Sequence, residues 1–293
     1  MSKNIKLRIL IFIITISLSI LLPVNYQDIL GFLLILSIGV IHGANDLLII
    51  KKYTRNDTLK SQILYFLYYL GLVFLGFVFF YFFPSIALLS FVFVSIYHFG
   101  EQHWEANVSK SGLPKSKKIF PISLHGLIFF IIIFMNNINV VNDVLLSFNT
   151  ITLDYNLLRT LLIVSFSIYL FLLYIFRLRT YLIEEFMFFI LLFILSINAS
   201  LIFGFSIYFI FFHSVLSIKD QVRFIYDNNK SEYVKKYLIN SLPYFFLALL
   251  FLLGFYLIID IESIDILPII FTFLAAITFP HVIVIEKMYR SMK

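Results

Sequence analysis

The chain has 293 residues, of which 61% are hydrophobic, 19% aromatic and only 13% charged, and it contains no cysteine. Its mean hydropathy of +1.00 lies far above that of soluble domains, which excludes a water-soluble globular fold and predicts an integral membrane protein. The missing cysteines exclude disulfides, thiolate metal sites and cysteine nucleophiles, so any metal must be held by nitrogen or oxygen.

Runs of about 18 or more apolar residues are long enough to cross the hydrocarbon layer as helices. Ten are expected, in chain order near 6–24, 28–50, 62–82, 85–101, 119–136, 157–176, 181–199, 203–219, 238–259 and 264–286. The first follows Lys3, Lys6 and Arg8, as the core of a signal peptide would. Its apolar stretch is long for such a peptide and no small-residue cleavage pattern follows, so it reads as a membrane helix. Connections are short except at 102–118, 137–156 and 220–237, which predicts a single integral-membrane domain over 1–293, an all-α polytopic helical bundle.

Basic residues set its orientation. With the N-terminus in the cytoplasm, only Arg159 of the 22 Lys and Arg residues falls on the outer side, while Asp28, Asp143, Asp154, Asp260, Glu262 and Asp265 lie outside. Both termini are then cytoplasmic and the chain is a multi-pass protein of the cell membrane. The formal charge of +6 follows from this topology, and "KSGLPKSKK" at 110–118 reads as a solvated inner loop rather than a nucleic-acid surface.

Four histidines stand in otherwise lipid-compatible runs: His42 in "GVIHGANDLLII", His98 in "SIYHFGEQHW", His213 in "FFHSVLSIKDQ" and His281 in "FPHVIVIEKMY". Their four spans all run from outside to inside, and all four histidines fall toward the cytoplasmic side. Neutral imidazole suits iron, zinc and copper, and one shared metal would satisfy several ring nitrogens at membrane depth. Four uncharged ligands would leave Fe(II) dicationic with positions open for dioxygen. The bland alternative for each histidine is a helix cap or a bond to a neighbouring carbonyl.

Asp46 lies one helical turn after His42 and could accept its second N–H, or else pair with Lys51 or a neighbouring helix; the residues leave both open. Asn45 could bond to either, and Gly43 permits close helix approach. His103, past the end of the fourth span, reads as a solvated loop histidine. His125, near the inner end of the fifth, is the reserve ligand.

"HGANDLLI" at 42–49, "YHFGEQHW" at 97–104, "FHSVLSIKDQ" at 212–221 and "FPHVIVIE" at 279–286 resemble, in order and rough spacing, the signatures of the Brp/Blh family of membrane carotenoid oxygenases. The resemblance spans nearly the whole chain; each motif is weak alone and the set is fairly specific. It implies a β-carotene 15,15′-dioxygenase, a multi-helix membrane protein that uses Fe(2+) and O2 to split β-carotene at its central double bond into two retinal molecules. Delivery of retinal to a rhodopsin-type protein would follow. Carried over by position, His42, His98 and His213 would be iron ligands. The family's third motif commonly has a further histidine where this chain has Ser217. His281 is the first candidate to complete the set and His125 the second; a three-histidine site and loss of iron binding are the other possibilities.

The 37 phenylalanines and 18 tyrosines could line a tunnel for a rigid polyene, although lipid contact and interhelical packing are the stronger account of them. No Ser-His-Asp pattern, phosphate-binding glycine loop or nucleotide fingerprint supports a hydrolase or an ATP-driven protein. Six scattered histidines are too few for a di-iron desaturase, and a haem protein would be told apart by its Soret band. The alternative from another class is a non-catalytic carotenoid-binding or transport protein, in which buried His and Asp serve as proton-relay groups.

Overall fold

A computed structural model describes residues 3–55, 58–108, 114–228, 230–258 and 266–292. Residues 109–113 of the basic loop and the acids Asp260, Glu262 and Asp265 lie outside this set. Among the described residues there is no strand. The helices are α1 (Lys3–Leu21), α2 (Val24–Leu34), α3 (Asp46–Thr54), α4 (Leu59–Phe82), α5 (Pro84–Val108), α6 (Lys115–Asn136), α7 (Ile138–Ser147), α8 (Tyr155–Ile175), α9 (Arg179–Asn198), α10 (Leu201–Ile207), α11 (Val215–Tyr226), α12 (Ser231–Ile258) and α13 (Ile266–Ser291).

Eight helical stretches among the described residues are long and apolar enough to cross a membrane: α4, α5, α6, α8, α9, the continuous run from α10 through α11, α12 and α13. They correspond to the third to tenth expected spans. The second, over 28–50, is not one continuous helix. It consists of α2, a π-helical segment at Ile35–Gly39 and a turn at 42–45 before α3 begins at Asp46. A second π segment, Tyr208–Ser214, joins α10 to α11 and contains His213. Such wide turns re-aim the side chains that follow them and recur at functional sites.

Helix starts follow local chemistry. The side chains of Thr58, Asp154 and Ser200 accept from the backbone N–H groups of Ser61, Leu157 and Phe203, capping α4, α8 and α10. Pro84 opens α5, where its missing N–H costs nothing. The stretch 137–156, expected as a connection, contains the short helix α7, and both ends of the Asn142 amide bond to Leu153 backbone groups after it.

The chain divides into two compact units. The first comprises Met1–Ile35, Ser95–Leu146 and Ile151–His213; the second comprises Leu36–Val94, Ser147–Thr150 and Ser214–Lys293. In the first, α5 and α6 cross at two glycines. A Cβ on Gly100 would stand 1.9 Å from the Ile122 carbonyl oxygen, and one on Gly126 would stand 1.8 Å from that of Ile96. Backbones meet this closely only where both helices lack a side chain at the contact. In the second unit, α4 meets α13 at Gly76, where a Cβ would lie 3.0 Å from the Ala276 Cα. Exposed side chains such as Leu70, Phe74, Phe246, Leu250 and Leu253 are apolar, as a lipid-facing surface requires.

Candidate metal centre

In the first unit, α5 carries His98 and the π segment carries His213. Both are buried, with ring centroids 4.7 Å apart at 71°. Phe99 and Phe209 lie against the His213 ring at 4.6 and 5.6 Å, so the imidazole pair is walled by aromatic rings.

In the second unit, His42 and His281 form a matching pair, with centroids 4.7 Å apart at 85°. His281 Nδ1 lies 2.9 and 3.0 Å from the two oxygens of Asp46, and the Tyr69 hydroxyl donates to the same carboxylate at 2.8 Å. The imidazole partner of the Asp46 carboxylate is therefore His281, not the His42 one turn before it. His42 precedes Asp46 in the turn and is not held on one face of a regular helix with it. His42 Nδ1 instead donates to the Gly39 carbonyl. In both rings a proton held on Nδ1 leaves the lone pair on Nε2, the nitrogen that would bind a metal.

The broken helix around His42 needs substitute partners, because a bare carbonyl at membrane depth costs several kcal/mol, of order ~2–7. Gln221 Nε2 donates to the His42 carbonyl at 2.8 Å, and the Tyr237 hydroxyl donates to Gln221 Oε1 at 2.8 Å while lying 3.2 Å from the same carbonyl. Asn45 Nδ2 donates to the Tyr237 carbonyl at 3.0 Å. Ser217, standing where the resemblance leads one to look for a histidine, is fully buried and accepts from Gln221 at 3.0 Å.

A third cluster lies in the first unit. His103 is not a solvated loop residue: α5 continues past it to Val108, and its side chain is fully buried. Its ring stacks on His125 at 3.8 Å, and both face Glu185 of α9. His103 Nε2 is 2.7 Å from Glu185 Oε1, and His125 Nδ1 is 3.2 Å from Oε2. The Tyr169 hydroxyl donates to Oε2 at 2.9 Å, and the Tyr208 hydroxyl lies 3.2 Å from His125 Nε2. Ligand atoms from His103, His125 and Glu185 all lie within 4.8 Å of one another, so this group could hold a metal ion. Glu185 was missed at the sequence level. The available signal was a carboxylate inside an apolar span, which is costly at membrane depth and by default functional.

A family model described as beta-carotene 15,15'-dioxygenase matches residues 33–289. The chain belongs to this family. The match takes in all four histidine motifs and the His-His-Glu cluster. No curated protein and no solved structure matches the chain.

Proposed function

We propose that the protein cleaves β-carotene at its central 15,15′ double bond with O2, one oxygen atom ending in each of two retinal aldehydes, and that its iron ligands are His42, His98, His213 and His281. The observation that carries this reading is the family match over residues 33–289. The substrate is a rigid hydrocarbon that partitions into lipid, which suits a protein with eight helices able to cross a membrane. The distribution of Lys and Arg supports ten crossings with both termini on the cytoplasmic side.

The donor set fits iron. Neutral imidazole nitrogen is a good ligand for it, and each pair has its rings 4.7 Å apart, close to the ~4.5–5 Å expected for imidazoles on neighbouring coordination positions at metal–nitrogen lengths of about 2.1 Å. Bound iron would supply the redox chemistry that couples dioxygen to an alkene. The chain's own groups do the rest. The Asp46 carboxylate fixes the His281 tautomer, and the Gly39 carbonyl does the same for His42. Phe99 and Phe209 exclude water beside His213. His281 stands in for the family histidine that Ser217 replaces, while His125 is engaged by His103, Glu185 and Tyr208.

Expression in cells that accumulate β-carotene tests the reaction: colour is lost and retinal appears in extracts. If the cells stay orange with the protein demonstrably in their membranes, the dioxygenase reading fails and a non-catalytic carotenoid binder takes its place. Asp46→Asn keeps the shape of the side chain but removes the charge that holds His281. Iron affinity should drop by ~10–100-fold, as when other groups that orient metal ligands are lost. Metal analysis of the purified variant checks this, and unchanged iron would release Asp46 from the role.

A further inference from the structure

We infer that His103, His125 and Glu185 form a second metal site, which takes one divalent first-row transition-metal ion through two imidazoles and a carboxylate. The inference does not depend on the proposed cleavage reaction. Three helices bring these side chains together: α5 supplies His103, α6 His125 and α9 Glu185. The close crossing of α5 and α6 is what forces the rings into contact, since Gly100 lies one turn before His103 and Gly126 directly follows His125.

The spacing is that of a coordination polyhedron slightly collapsed. Ligands about 2.0–2.1 Å from a common ion stand roughly 2.9–3.4 Å apart, depending on whether the geometry is octahedral or tetrahedral. Here His103 Nε2 stands 2.7 Å from Glu185 Oε1 and His125 Nδ1 3.2 Å from Oε2, one nitrogen on each oxygen of the carboxylate. The stacked rings of His103 and His125, 3.8 Å apart, must part by roughly 1 Å to reach the spacing of neighbouring ligands, and an ion then takes the place of the protons now shared between the groups. Two imidazole nitrogens and one carboxylate oxygen suit Zn(II), Fe(II) or Mn(II).

Around the three donors stands a shell of the kind that orients metal ligands. Tyr169 donates to Glu185, and the Tyr208 hydroxyl lies against His125. Phe188 and Phe189 close the site, with their rings 5.8 and 4.9 Å from that of His125. His98 lies five residues before His103 on α5, about 7.5 Å along the axis and well round the helix. The cluster is thus distinct from the His98–His213 pair.

The chain's single tryptophan, Trp104, is buried next to His103 and can report the ion. Co(II) added to chelator-stripped His213→Ala protein in detergent, in which the proposed iron site has lost a ligand, is expected to quench Trp104 emission saturably, with a step of one equivalent. In that background the step should disappear when Glu185→Gln is added, and return with Glu185→Asp with a midpoint shifted by ~10-fold or more. Recovery in the aspartate variant separates loss of a ligand from loss of folding. No quench in His213→Ala, or a full step when Glu185→Gln is added to it, would each overturn the assignment. The imidazole pairs are read separately, by the iron that His213→Ala loses.

Discussion

His213→Ala is expected to reduce retinal formation by at least ~100-fold and to strip most of the iron from the protein. Loss of a residue that merely orients a metal ligand already costs ~10–100-fold, and His213 is proposed as a ligand itself. Its ring is fully buried against Phe99 and His98, so water has little room to replace the missing nitrogen. His98→Ala should match it, because the two rings form one pair. Retinal per unit of membrane protein and iron per chain are the two measurements. If iron and product were unchanged in both variants, the His98–His213 pair would not be a ligand pair, and attention would pass to the His103 cluster.

The largest effect on stability is expected from a single methyl group. Gly126→Ala would set a Cβ 1.8 Å from the Ile96 carbonyl oxygen, and Gly100→Ala would set one 1.9 Å from that of Ile122. Both contacts are with backbone, which cannot swing aside as a side chain can, so α5 and α6 must separate. Ordinary overpacking costs ~1–3 kcal/mol. Either variant should exceed that and be recovered from membranes in strongly reduced yield, with its thermal transition lowered well below the wild-type value. Gly71→Ala and Gly254→Ala are the controls. Nothing lies within 4 Å of the added carbon at either position, and alanine is favoured over glycine in a helix by about 1 kcal/mol. Thermal unfolding in detergent, followed by size-exclusion chromatography, distinguishes the two pairs. Equal behaviour of Gly126→Ala and Gly71→Ala would show that the helices tolerate wider spacing.

Hydropathy alone located the third to tenth spans, because a helix in lipid must be apolar along its whole length and needs no information about its neighbours. It failed at 28–50. The stretch is apolar enough to read as one span, yet "HGAN" at 42–45 forms a turn whose His42 carbonyl meets Gln221 and Tyr237, 179 and 195 residues further on. No window of local sequence contains that compensation.

The candidate site divides in the same way. The types of residue and their order along the chain were enough to nominate His42, His98, His213 and His281 and to indicate the family, since imidazoles in apolar runs stand out wherever they occur. Which group meets which was a matter of tertiary structure. The rotation and crossing of helices pair His42 with His281, give Asp46 to His281, and turn His103 inward onto His125 and Glu185. Those rotations depend on contacts such as Gly100 with Ile122 and Gly126 with Ile96, between residues that are distant in sequence. Burial in lipid is set residue by residue, but partnership between buried polar groups is set by how whole helices pack.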